Sequence, residues 1–247
     1  MMIGYGLALG VLFIGVLIGG VGVGGVLLVP SLVYAGGIPL KEAIPASMLA
    51  YLATGIVGTL MYARMGSVNW HQLWWLVAGS FPGAYIGAYL LPLVPGSVLE
   101  FCIGSLVALS GIHALVKKKQ VNDNGFDFPN RSLALIGFLV GTGSALTGTG
   151  GPLLLIPVLL WMNMPVLAAV GLAQAVQIPI ALSATICNFA YGSVNVPLGM
   201  FLGVILAVGV VVGARLIHHL PKAQVTRIVA VFRVAVGILI LVKLFLL

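Results

Sequence analysis

The segment Gly66-Ser67-Val68-Asn69 recurs word for word as Gly192-Ser193-Val194-Asn195, and it is one of many matches at a single constant spacing. Pro39 pairs with Pro165, Thr59 with Thr185, Gly83 with Gly209, Gly87 with Gly213, Pro95 with Pro221 and Gly111 with Gly237. Upstream, the run from Gly24 to Pro30 answers the run from Gly150 to Pro157, with one residue inserted. A fixed offset sustained over this length marks a duplicated structural unit, so the chain must fold as two copies of one motif.

Composition says what surrounds those copies. Hydrophobic residues make up 61% of the 247-residue chain and charged residues 6%, with a mean hydropathy of +1.23. A soluble domain carries about a quarter charged residues to cover its surface. Apolar runs recur here that are long enough to cross about 30 Å of hydrocarbon, and the bilayer is the solvent they imply. The net charge of +7 does not point to nucleic acid. The Lys and Arg residues sit mainly in short loops between apolar runs, as cations that orient a membrane chain do, and not along a basic face. Cys102 and Cys187 lie within apolar runs at no metal-site or disulfide spacing and read as small buried hydrophobes. No Lys or Arg precedes Lys41, so the basic start of a secretory signal is missing and the first apolar run is expected in the mature protein.

Each copy reads as the same series of elements. In the first, an apolar run from Ile3 to Ile18 is broken by the glycines of 19–25, and a short run continues to Tyr34. Three helix-length segments follow, near Glu42–Tyr62, His71–Leu91 and Ser97–Val116. The second copy runs Leu133–Val140, a break at Gly141–Gly151, Pro152–Met162, then Leu167–Tyr191, Val196–Ile217 and Ala223–Leu247. The expected fold is therefore an all-α polytopic membrane protein. Its repeats span 1–116 and 132–247, and a polar cytoplasmic linker at 117–131 contains Lys117-Lys118-Lys119 and Asn122-Asp123-Asn124-Gly125.

Loop charge predicts how the copies face. If each glycine-broken opening is a hairpin that returns to its starting side, each half makes an odd number of crossings and the copies are inverted. Arg64, Lys117, Lys118, Lys119, Arg131, Arg215, Lys222 and Arg227 then share one side, with only Lys41 and Lys243 opposite and Arg233 inside the last helix. An opening that crossed once would divide the same cations between both sides. Because Lys and Arg asymmetry sets orientation, inverted repeats with both termini outside are expected.

The glycine breaks are the best candidates for function. Unwound backbone at membrane depth survives only where protein or a water-filled cavity satisfies it, and paired breaks in inverted halves mark a transporter's central site. Glycines let backbone N–H groups approach a ligand, and each helix that restarts after a break points its positive end inward. Gly22, Gly24, Gly25, Gly150 and Gly151 are the candidate substrate-binding positions, with Thr147 and Thr149 as hydroxyls flanking the second break. Ser47, Tyr51, Gln174 and Gln177 join them from the following helix of each copy, since a Gln facing lipid is costly. By contrast, Gly83-xxx-Gly87 and Gly209-xxx-Gly213 read as close helix-packing contacts.

All four acids, Glu42, Glu100, Asp123 and Asp127, fall at segment ends or in the linker, so a proton relay has no mid-membrane candidate. His71, His113, His218 and His219 are scattered near segment ends and suggest interface residues, with no metal or cofactor implied. No nucleophile, base and orienting group combine into a catalytic set, so an enzyme is not expected.

The pattern Gly-x-Gly-Gly-x-Leu-Leu-x-Pro from Gly22 to Pro30 resembles the TauE/SafE sulfite exporter family. Its second copy is Gly148-Thr149-Gly150-Gly151-Pro152-Leu153-Leu154-Leu155-Ile156-Pro157, and the later Gly-Ser-Val-Asn and Pro-Gly-Ala motifs add to the likeness. The resemblance implies a prokaryotic cytoplasmic-membrane transporter of sulfur-containing anions such as sulfite, sulfoacetate or other organosulfonates. Many members carry Gly-Thr-Ser where this chain has Pro45-Ala46-Ser47 and Gly171-Leu172-Ala173, which leaves the particular substrate open. An anion-selective channel would share the architecture.

Overall fold

A computed structural model describes residues 5–22, 24–90, 129–192 and 194–219, together with positions 224, 227, 231, 234 and 238. Among them the fold is entirely helical. The elements are α1 (Tyr5–Val21), α2 (Gly25–Pro30, continued by a π-helical turn Ser31–Ala35), α3 (Leu40–Arg64) and α4 (Trp70–Leu90). The second half supplies α5 (Asn130–Thr147), α6 (Pro152–Trp161), α7 (Val166–Tyr191) and α8 (Val196–His218). The expected final helix of the first half and the linker lie outside the described residues, as does most of the expected last helix. α3, α7 and α8 are long and apolar enough to cross a membrane.

The repeated motifs act as matching helix starts. Pro39 and Pro165 precede α3 and α7 with nearly the same backbone, φ −56° with ψ 141° and 138°. Proline locks φ, and its extended ψ sets the entry to the helix while its carbonyl accepts from the first turn. Pro39 O takes the Ala43 N–H at 2.9 Å and Pro165 O takes that of Ala169 at 2.9 Å. Asn69 and Asn195 cap α4 and α8, accepting through the side chain from Gln72 N–H at 3.2 Å and Leu198 N–H at 3.1 Å.

The halves are interleaved. α1 packs on α8 of the other copy, and α4 packs on α5. Glycines make both contacts possible, because lipid offers no hydrophobic drive between helices and close backbone approach must supply the attraction. A Cβ on Gly15 would sit 2.6 Å from the Leu206 carbonyl, and one on Gly209 2.5 Å from that of Leu12. In the α4–α5 seam, Gly83 and Gly87 meet the backbone of Phe138 and Thr142, while Gly137 and Gly141 meet that of Leu76 and Ser80. Thr142 Oγ1 adds a 3.0 Å hydrogen bond to the Gly83 carbonyl. The packing role expected of Gly83, Gly87, Gly209 and Gly213 is what the structure shows.

These seams shorten the breaks. The sequence suggests breaks over 19–25 and 141–151, yet α1 stays helical to Val21 and α5 to Thr147. Gly19 and Gly141 face neighbouring backbones from within intact helices, so they serve packing and not unwinding. Among the described residues of these two segments, Gly22, Gly24 and Gly148–Gly151 lie outside the helices.

Contact order records direction. Gly15 meets Leu206 and Gly19 meets Val210, so α1 and α8 run parallel; Gly79 with Ala134 and Gly87 with Thr142 make α4 and α5 parallel. At the centre, Gln177 reaches Tyr51 and Thr54 while Gln174 abuts Gly58, so α3 and its counterpart α7 run antiparallel. α2 folds back along α1, with Gly24 against Ile14 and Gly36 against Leu7. One end of the bundle gathers the helix termini bearing Arg64, Arg131 and Arg215. There His71 Nε2 lies 3.2 Å from Asn130 Oδ1, and Ser67 Oγ 3.3 Å from His218 Nε2. Lys41 belongs to the opposite end of α3. Around the bundle, Phe13, Trp74, Tyr89, Leu139, Phe189 and Val204 are all exposed, an apolar girdle suited to lipid and unlike a water-facing surface.

Candidate functional site

The two breaks meet. A Cβ on Gly25, the first residue of α2, would sit 2.5 Å from the Thr149 carbonyl of the other break, and one on Gly22 would strike Ile156 of α6. Each break begins by ending a helix in the same way. Gly22 (φ 72°) and Gly148 (φ 68°) are left-handed, the conformation that glycine enters without steric cost. Gly22 N–H then returns to Leu17 O at 3.0 Å, and Thr149 N–H to Ser144 O at 3.2 Å. Two carbonyls near the end of α1 also accept from side chains deep in the bundle. Gln174 Nε2 donates to Ile18 O at 2.6 Å and Tyr62 Oη to Gly19 O at 2.8 Å. The cost of unwinding inside an apolar core is offset group by group.

Between the breaks lies a gap lined by Ile18, Gly22, Gly25, Tyr51, Thr149, Pro152 and Gln177. About 170 Å³ lies between its atoms, and it is too narrow to seat a water molecule.

Tyr51 bridges the two breaks. Its hydroxyl donates to Gly25 O at 2.7 Å, and its ring lies against Gly150, whose φ of 80° presses the backbone close. Gln177 occupies the position of α7 that Tyr51 occupies in α3. It is buried, and its Nε2 donates to Tyr51 O at 3.1 Å and Thr54 Oγ1 at 2.5 Å. Gln177 Oε1 has no partner. Thr147 Oγ1 donates to Gly143 O at 2.8 Å and lies 2.9 Å from Thr149 Oγ1.

Of the residues singled out from sequence, Gly22, Gly25, Tyr51, Thr149 and Gln177 line the gap. Gly150 and Gly151, between the lining residues Thr149 and Pro152, have positive φ, at 80° and 112°. The others stand back. Gly24 is packed on Ile14 and Ile18 within the α1–α2 hairpin. Ser47 returns its hydroxyl to Ala43 O at 2.7 Å, one turn earlier in its own helix. Thr147 supports Thr149, and Gln174 turns its Oε1 toward Gly58, again without a partner. Ile18 and Pro152 line the gap although sequence reasoning passed over them, since apolar lining residues look like any other core position. Ser144 was also passed over; its buried hydroxyl lacks a partner.

A helical bundle whose halves interleave around two touching helix breaks has the organisation of a membrane transporter. The chain matches the family described as Sulfite exporter TauE/SafE over residues 7–240 and belongs to that family. It is 25% identical over 213 residues to the probable membrane transporter protein YdhB of Bacillus subtilis (strain 168), covering 83% of this chain and 86% of YdhB. YunE of the same organism, also a probable membrane transporter protein, is 25% identical over 196 residues, covering 69% and 72% of the two chains. A probable membrane transporter protein of Xylella fastidiosa (strain Temecula1 / ATCC 700964) is 32% identical over a shorter stretch of 91 residues, 36% of this chain and 35% of that one. No solved structure matches the chain.

Proposed function

We propose that this protein is a secondary transporter of small sulfur-containing anions, namely sulfite, sulfoacetate or another organosulfonate. In this reading it crosses the cytoplasmic membrane several times, its halves are inverted across the bilayer, and substrate binds at the paired breaks with alternating access. The observation that carries it is the contact between the two glycine breaks at the centre of the bundle. The restarting helices present N–H groups with no acceptor of their own, and an anion satisfies both those donors and the helix dipoles. The opposed run of α3 and α7 supports inversion, and the gathering of Arg64, Arg131 and Arg215 at one end supports a cytoplasmic placement of that end. Paired helix breaks in a duplicated fold favour alternating access over an open pore.

The test is a thermal-shift panel on the purified protein with sulfite, sulfate, thiosulfate and small sulfonates, followed by counterflow in proteoliposomes. A sulfur oxyanion should raise the melting temperature and show saturable counterflow. Stabilisation by an amine or a sugar alone would refute the anion site, and ohmic conductance in a planar bilayer would make the protein a channel.

A further inference from the structure

The protons around the gap are almost all committed inward. Tyr51 has one hydroxyl proton and spends it on Gly25 O. Thr147 Oγ1 lies 2.8 Å from Gly143 O and 2.9 Å from Thr149 Oγ1, a contact across which either hydroxyl can donate. Both protons of Gln177 Nε2 have acceptors, Tyr51 O and Thr54 Oγ1. Exchanging the Gln177 amide atoms would set Oε1 against the Tyr51 carbonyl, oxygen facing oxygen, so the assignment is determined by its surroundings. Among the polar side chains that line the gap, Tyr51 and Gln177 keep lone pairs. Gln177, 1% exposed, carries the unsatisfied one, at Oε1. The donors for a negative charge are main-chain N–H groups at the helix starts; at α6, where Pro152 has none, Gly151 and Leu153 supply them.

We infer that the site selects a monoanion that carries its own hydrogen-bond donor, an O–H or N–H, which it delivers to Gln177 Oε1 while its charged oxygens meet the start of α6. This inference rests on reading the gap as the substrate site and specifies the substrate class. A buried acceptor left empty costs a full desolvation penalty, so a ligand without a donor leaves that penalty standing and one with a donor removes it.

Two ligands of equal charge separate the cases: hydroxymethanesulfonate, with one O–H, and methanesulfonate, with none. Equilibrium binding to the full-length protein in detergent should favour the hydroxylated sulfonate by about tenfold or more, the equivalent of one satisfied buried hydrogen bond. In Gln177→Leu that preference should collapse toward unity while methanesulfonate binding changes less. Gln177→Leu also loses two internal bonds, so the wild-type comparison is the primary one and stands without the variant. Equal binding of both sulfonates to the wild type would overturn the donor requirement and leave the anion site intact. Stabilisation by sodium chloride over choline chloride, with neither sulfonate bound, would make Oε1 a cation ligand and defeat both readings.

Discussion

The two glycine breaks descend from one motif and are built differently. In the first, Gly22 alone among the described residues has positive φ; Gly24 is in helical conformation at φ −63°, and α2 begins at Gly25. In the second, Gly148, Gly150 and Gly151 all have positive φ, and Thr149 stands among them with its hydroxyl tied to Thr147. The partners on the central helices diverge in step, with Tyr51 on one side and Gln177 in the matching place on the other. The first break is a tight helix reversal. The second is a loop of buried main chain with positive φ, leading to a helix start that no side chain caps. Duplication supplies the scaffold twice, and the side chains around the two breaks differ.

The largest effect should come from blocking each break with a β-branched residue. Both Gly24→Val and Gly150→Val should abolish counterflow, for different reasons. At Gly24 the new Cβ runs into the Ile14 carbonyl, which cannot move without opening the α1–α2 hairpin, so the melting temperature should fall steeply. At Gly150 it meets the side chain of Tyr51 and not backbone, and adds a left-handed backbone cost of about 1–2 kcal/mol. Full transport activity in Gly150→Val would remove the second break from the mechanism. Tyr51→Phe should be intermediate. It leaves Gly25 O buried without its donor, a loss of about 1–3 kcal/mol, and it uncouples the breaks, so substrate affinity should change along with stability. An unchanged counterflow KM in Tyr51→Phe would confine Tyr51 to packing. Thr149→Val should be mildest, at about 1 kcal/mol for one hydrogen bond in the melting curve, with weaker substrate binding. Stability loss without any change in binding would assign the Thr149 hydroxyl to holding the loop alone.

Much of this was legible along the chain because it rests on residue types with few uses. Pro39 and Pro165 start helices wherever they fall, Asn69 and Asn195 cap them, and paired small residues in apolar helices mean close seams. The extent of the breaks was not legible. Gly19 and Gly141 look like Gly22 and Gly148 in a sequence, yet the first two lie inside helices because another backbone is pressed on them. Ser47 and Thr149 were equally attractive hydroxyls. Ser47 turned back onto its own helix, while Thr149 was held at the gap by a left-handed loop that no propensity describes. Thr59 and Thr185, matched in the repeat, show the same limit: one bonds Gly55 O at 2.6 Å and the other is buried without a partner.

By itself the sequence determined the solvent, the duplication and the places where helices start, since these follow from composition, periodicity and local backbone chemistry. Tertiary structure decided which glycines unwind and which pack, how the copies interleave, and which polar atom is left wanting a partner. Those outcomes depend on what lies across the gap from each residue. Gln174 and Gln177 illustrate this: both are buried amides one turn apart, and only Gln177 faces the place where the breaks meet.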